Sequence, residues 1–197
     1  KRELKISTNF FMSDSDTEVI LHSYIKWGTN CLNKFEGIFS FVIYDTIEDI
    51  VFAARDRMGV KPLYYKHDDK GITISSRPGA ILKATDQKLN LNNNALNIYL
   101  KAGYIPAPYS IYQGIYKLPQ GSFVEFSIED VKARLIPKNT KYWSFELMTK
   151  RQQSHPFLGS DVDAINCLES LLQDTISGQM LGDVPVGAFL SGGMSIE

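Results

Sequence analysis

Gly37-Ile38-Phe39-Ser40-Phe41-Val42-Ile43-Tyr44-Asp45 is followed by Thr46-Ile47-Glu48-Asp49 and then by Ile50-Val51-Phe52-Ala53-Ala54-Arg55. The first run is aromatic and β-branched and reads as a buried strand. The polar residues 46–49 suit a turn, and the second run then returns as the partner of an antiparallel hairpin. Beyond the loop at 56–62, residues 63–66 and 72–76 flank the polar turn His67-Asp68-Asp69-Lys70-Gly71, which predicts a second hairpin. Further on, residues 121–126 and 131–136 read as two more strands on either side of Glu129-Asp130.

Helices surround these strands. Residues 13–27 predict a helix with Ser15 and Glu18 at capping-box spacing ahead of an apolar face. A shorter helical piece is expected around 30–36, and two more at 78–84 and 92–101, the last capped by the asparagines at 92–94 and stopped by Gly103. The proline- and tyrosine-rich residues 104–116 suit an ordered loop packed by its own aromatics. The fold class is therefore α+β, antiparallel strands flanked by helices.

Composition shifts after residue 147, where residues 148–160 read as a polar connector. Ser160 and Asp163 frame the next helix, whose Val162, Ile165, Leu168, Leu172 and Ile176 fall on one face. A short strand at 184–190 then runs into Ser191-Gly192-Gly193. Glycines there let main-chain N–H groups approach an anion, and Ser191 adds a hydroxyl donor, so the turn is a candidate phosphate loop at the carboxyl end of a strand. Such tripeptides are also common in plain turns.

The 197 residues allow one large domain, or one domain and part of another. An apolar fraction of 44% with 22% charged residues is that of a globular protein with a core. The formal net charge of −1 and the scattered Lys and Arg argue against nucleic acid or an anionic membrane surface as the main partner. Small molecules fit better. The two cysteines, Cys31 and Cys167, lie far apart in helical segments and read as small buried side chains in a reducing cytosol, with neither a disulfide nor a metal site. The three histidines, His22, His67 and His155, stand apart and read as surface residues. No apolar run reaches the roughly 20 residues of a membrane span, and the opening residues lack a signal peptide's apolar core.

With these pieces in order, the chain resembles the asparagine synthetase family, in which a glutamine amidotransferase domain with an N-terminal nucleophile precedes an ATP-pyrophosphatase synthetase domain. Three blocks carry the resemblance: Ser15-Asp16-Thr17-Glu18-Val19-Ile20; Asn33 to Phe41 together with Ala54-Arg55-Asp56-Arg57-Met58-Gly59-Val60-Lys61-Pro62-Leu63-Tyr64-Tyr65; and Asp183-Val184-Pro185-Val186-Gly187-Ala188-Phe189-Leu190-Ser191-Gly192-Gly193. The resemblance implies an N-terminal-nucleophile sandwich of antiparallel sheets over 1–147, a linker at 148–160, and the first helix and strand of the synthetase domain over 161–197. It also implies a two-step reaction. Glutamine is hydrolysed to glutamate and ammonia, and the ammonia attacks an acyl-adenylate made from aspartate and ATP with magnesium, giving asparagine, AMP and pyrophosphate.

By the same resemblance Asp16 holds the α-ammonium group of glutamine, although an acidic residue in a first turn also suits the helix dipole by itself. Arg55, Asp56, Arg57 and Lys61 form a loop facing the partner domain, with a salt-bridged loop as their direct role. Phe189 and Leu190 line the nucleotide pocket, and Ser191, Gly192 and Gly193 hold the phosphates. Glutamine, aspartate and ATP are the implied partners, in the cytoplasm, and a homodimer is left open.

The chain departs from the family pattern at both ends. The family nucleophile is an N-terminal cysteine, whereas residue 1 is Lys1, and the upstream arginine loop and Asn-Gly pair are not found. Neither Cys31 nor Cys167 stands in for that nucleophile. The family loop continues with an aspartate where this chain has Met194-Ser195-Ile196-Glu197. The expectation is a chain truncated at both ends, inert as glutaminase and as synthetase, with no catalytic residue, no metal site and no firmly bound ATP. Residues 161–197 are expected to leave apolar faces partly exposed and to be low in order. Two alternatives stay open: a relative acting on another carboxylate, such as a β-lactam synthetase, and a non-catalytic amidotransferase-like module.

Overall fold

A computed structural model describes residues 12–13, 15–68, 71–133, 135, 137–180 and 187. The chain divides into two compact units, Lys1–Met148 and Thr149–Glu197.

In the first unit, helix α1 covers Asp16–Trp27, with the Ser15 hydroxyl as N-cap accepting from the Thr17 N–H. Gly28, at φ 56°, stops it. A 3₁₀ helix at Gly28–Lys34 takes the place of the piece expected at 30–36. Strands β1 (Ser40–Asp45) and β2 (Ile50–Arg55) form the predicted antiparallel hairpin, with Ser40 opposite Arg55 and Asp45 opposite Ile50. Strands β3 (Tyr64–Asp68) and β4 (Gly71–Ser75) form the second. Helices α2 (Pro78–Thr85) and α3 (Asn93–Ala102) follow, the latter with Asn92 as N-cap and Gly103 in the left-handed region as C-cap. Then come β5 (Ile115–Lys117), β6 (Ser122–Ser127), the short helix α4 (Ile128–Lys132) and β7 (Thr140–Lys141).

The strands form a four-stranded sheet ordered β1-β2-β6-β7 and a three-stranded sheet ordered β4-β3-β5. Alternation along β2 sends Ala53 to one side and Phe52 and Ala54 to the other. Ala53 joins Val124 and Phe126 of β6 and Tyr65 of β3 in a cluster shared by the two sheets. Phe52 and Ala54 join Phe123, Cys31 and Leu32 on the opposite face, beneath α1, where the Tyr24 ring stacks on Phe52 at 5.3 Å. Burial on both faces explains why β2 reads as a continuous apolar run.

Several expectations are corrected. The strand expected at 131–136 is replaced at its start by α4, because Ser127 and Asp130 form a complete capping box that starts a helix there. Helix α5 (Phe145–Gln153) extends into residues 148–160 without deciding their role as a connector. Residues 104–116 are tied down by backbone bonds, Asn92 N–H to the Ile111 carbonyl (2.8 Å) and Gln113 N–H to the Asn90 carbonyl (2.9 Å), while Tyr104 and Tyr109 stay exposed. His67 is no surface residue, since its Nε2 is buried and its ring stacks on Phe126.

In the second unit, helix α6 (Asp161–Gln179) begins with both bonds of a Ser160–Asp163 capping box. Its Val162, Ile165, Leu168, Leu172 and Ile176 are each more than half exposed, in line with the expected partly exposed apolar face. Cys167 is exposed there as well, contrary to its reading as a buried side chain. The strand expected at 184–190 lies outside the described residues, apart from Gly187.

Candidate functional site

Asp16 is the first residue of α1 and is exposed. An acidic residue at this position is favoured by the positive end of the helix dipole and keeps its carboxylate in reach of a cation. Glu18, in the same turn, does not complete the capping box that its spacing to Ser15 predicted. Its carboxylate instead accepts from the Met12 N–H (2.7 Å), the Ser13 N–H (2.8 Å) and the Ser13 hydroxyl (2.7 Å).

The loop after β2 brings Arg55, Asp56, Arg57 and Lys61 together, but not as a set of ion pairs. Arg55 is buried and gives its guanidinium hydrogens to three main-chain carbonyls: Lys61 (2.7 Å), Leu118 (2.7 Å) and Gly59. Burial lowers its pKa, and the Asp56 charge beside it acts in the opposite direction. Asp56 is 1% exposed. Its carboxylate accepts from the N–H groups of Met58 (3.1 Å), Val60 (3.0 Å) and Lys61 (3.0 Å), which folds the loop around it. Arg57 donates to the carbonyls of Phe35 (2.5 Å) and Asn33 (3.5 Å), fastening the loop to the end of the 3₁₀ helix. The Lys61 side chain is exposed, and its backbone is what binds the loop. The expected salt-bridged loop is thus corrected. Backbone groups closer than any partner side chain satisfy the two charges, as buried charges require.

Three residues that sequence reasoning missed complete this knot. The Tyr142 hydroxyl donates to the Arg55 carbonyl (2.8 Å), and burial pushes its pKa to about 12. Gly121, at φ +60°, gives its N–H to the Asp56 carbonyl (2.8 Å), and a Cβ there would lie 2.5 Å from the Trp143 carbonyl oxygen. Gly59, at φ +68°, faces the Arg55 guanidinium closely enough that a Cβ would lie 3.0 Å from Cζ. The two glycines were the available signal, since left-handed backbone at close approach favours glycine.

Phe189, Leu190, Ser191, Gly192 and Gly193 lie outside the described residues. Among the described residues no group of three His, Cys, Asp or Glu could hold a metal ion. None of their helices is long and apolar enough to cross a membrane. A cavity of about 290 Å³ is lined by Glu125, Asp130, Leu135, Pro137, Lys138 and Thr140, none of them a predicted site residue. Cys31 is fully buried, and burial pushes its thiol up to about 11, which keeps it protonated and poorly nucleophilic.

Residues 1–143 match the family model described as a glutamine amidotransferase domain. The chain belongs to the glutamine amidotransferase domain family. Behind this amidotransferase domain, residues 167–195 match a second model, described as asparagine synthase. A Methanocaldococcus jannaschii protein provisionally named glutamine-hydrolyzing asparagine synthetase 2 is 38% identical over 185 residues, covering 91% of this chain and 33% of the relative. Glutamine-hydrolyzing asparagine synthetase 3 of Bacillus subtilis is 33% identical over 195 residues, covering 98% and 30%. Asparagine synthetase B of Escherichia coli is 24% identical over 184 residues, covering 93% and 26%. The chain spans about a third of the length of the first of these curated relatives and less of the others.

On the amidotransferase domain, then, the carboxylate of Asp16 is exposed at a helix start, and the loop from Arg55 to Lys61 is a hydrogen-bonded knot that offers Met58, Val60 and Lys61 to solvent.

Proposed function

We propose that this chain is the glutamine-handling part of a glutamine-dependent asparagine synthetase, together with the start of its synthetase domain. The observation that carries the reading is the succession, in one chain, of the amidotransferase match at 1–143 and the asparagine synthase match at 167–195. The parent activity is hydrolysis of glutamine to glutamate and ammonia, with the ammonia used on an ATP-activated aspartate to give asparagine, AMP and pyrophosphate. The first domain, residues 1–147, is an N-terminal-nucleophile sandwich, 148–160 is its linker, and 161–197 belongs to an ATP-pyrophosphatase domain, all in the cytoplasm.

Within that scheme Asp16 pairs with the α-ammonium of glutamine, which its exposure and its place at a helix start support. The knot of Arg55, Asp56, Arg57 and Lys61 keeps a rigid loop for the interface with the synthetase domain. Phe189, Leu190, Ser191, Gly192 and Gly193 are assigned to the nucleotide, where ATP with magnesium would supply the adenylyl group that activates the acceptor carboxylate. Cys31 is buried and protonated, which makes it no nucleophile for glutamine, and Cys167 lies outside the amidotransferase match at 1–143. Glutamine hydrolysis is therefore assigned to neither Cys31 nor Cys167.

An NMR titration of the chain with millimolar L-glutamine tests the assignment. Saturable shifts around the start of α1 that vanish in Asp16→Asn are expected. Equal binding by Asp16→Asn, or ammonia release from glutamine above a protein-free blank, overturns it.

A further inference from the structure

Two carboxylates stand in the first turn of α1, and hydrogen bonding divides their duties. Glu18 Oε1 receives the Met12 N–H, and Oε2 receives both the N–H and the hydroxyl of Ser13. His22 Nε2, one helical turn further on, lies 3.6 Å from Oε1. A carboxylate has about four acceptor sites, and this one is filled by its neighbours. The same donors hold the Glu18 carboxyl down to about 2. Asp16 differs. It is exposed, and among the described residues nothing hydrogen-bonds its carboxylate.

The bonds of Glu18 continue around Asp16. The Ser13 hydroxyl oxygen accepts from the Ser15 N–H (3.3 Å), and the Ser15 hydroxyl oxygen accepts from the Thr17 N–H (3.2 Å). Among the described residues, Glu18, Ser13, Ser15 and Thr17 thus form a run of side-chain and backbone bonds that leaves the Asp16 carboxylate uncommitted. A turn fixed in this way presents a carboxylate without paying its ordering entropy when the ligand arrives.

We propose that Glu18 is a positioning residue of the glutamine site, tying residues 12 and 13 onto the first turn of α1 so that Asp16 is held ready for the substrate's α-ammonium. The inference rests on Asp16 being the ammonium acceptor. It gives the acidic pair a division of labour in which one carboxylate builds the turn and the other uses it.

The test combines NMR hydrogen exchange at the Met12 and Ser13 amides with L-glutamine titration, in the full chain and in Glu18→Ala, Glu18→Gln and Asp16→Asn. Glu18→Ala should speed exchange at both amides and weaken glutamine binding about tenfold, with the thermal midpoint unchanged. Glu18→Gln keeps one acceptor oxygen and should fall between. Asp16→Asn should abolish binding while leaving exchange at Met12 and Ser13 slow. Glutamine binding by Glu18→Ala at wild-type strength, or unchanged exchange at the two amides, overturns the role of Glu18 alone. Equal binding by Asp16→Asn, or no binding by the unaltered chain, removes the ammonium acceptor and the inference with it.

Discussion

Replacing Asp56 is the sharpest probe of how the loop after β2 is built. Its carboxylate is 1% exposed and accepts three main-chain N–H groups, from Met58 and Val60 on Oδ1 and from Lys61 on Oδ2. Hydrogen bonds to a charged group contribute about 1.5–3 kcal/mol each. The loss expected is smaller than the sum of three such bonds, because Met58, Val60 and Lys61 are surface residues and water answers part of the vacated donors. Arg55 beside it would also keep a buried positive charge without its neighbouring negative one. Taken together, Asp56→Ala should cost about 3–5 kcal/mol, the range for removing one member of a buried charged set. Asp56→Asn keeps an oxygen for Met58 and Val60 but turns an amide N–H toward the Lys61 N–H, and should cost about 2–3 kcal/mol.

The assay is urea unfolding followed by the fluorescence of Trp27 and Trp143, both in the Lys1–Met148 unit. With a slope of about 2 kcal/mol per molar urea, Asp56→Ala should lower the midpoint by about 2 M and Asp56→Asn by about 1 M. A midpoint for Asp56→Ala within about 0.3 M of the unaltered chain would refute the reasoning, since water would then satisfy the loop as well as the carboxylate does. Equal losses in the two variants would refute the part assigned to the Lys61 N–H.

Three further outcomes follow from the same geometry. Gly121→Ala places a Cβ 2.5 Å from the Trp143 carbonyl oxygen at φ +60°, whereas Gly103→Ala, at φ +76°, meets nothing within 4 Å. Urea midpoints should show a loss of about 2 kcal/mol or more for the first and about 1 kcal/mol for the second, and equal losses would count against the contact. Tyr142→Phe removes the bond to the Arg55 carbonyl and should cost about 1 kcal/mol near neutral pH. Because burial raises the Tyr142 pKa from 10.0 to about 12, its contribution is complete below pH 10 and is lost as pH climbs from there through 12. The variant should show a shallower alkaline loss of stability, and an unchanged slope would contradict this. Finally, a chromogenic disulfide reagent should react quickly with Cys167 in the native chain and with Cys31 only on unfolding, and rapid reaction of both would show that Cys31 is not enclosed.

Much of the architecture could be read from short-range signals. Both hairpins, the Asn92 and Gly103 ends of α3 and the Ser160–Asp163 start of α6 form where the local residues place them. Each depends on groups within a few positions of one another, so neighbouring side chains suffice to specify it. At residues 131–136 the apolar spacing suits a strand, but the Ser127–Asp130 capping box just before them starts a helix instead. Glu18 is the opposite case. Its spacing to Ser15 was right for a capping box, yet Met12 and Ser13 supplied better donors.

By itself, then, the amino-acid sequence determined the antiparallel hairpins, most helix ends, the acidic pair at the start of α1 and the family pattern. Only the tertiary structure decided how the charges at Arg55 and Asp56 are used. The Arg55 guanidinium reaches the carbonyl of Leu118, and the main-chain carbonyls of Arg55 and Asp56 receive the Tyr142 hydroxyl and the Gly121 N–H, groups distant in sequence that only the folded sheets bring there. The register of a sheet chooses which backbone groups meet a buried charge, and no spacing along one strand carries that information.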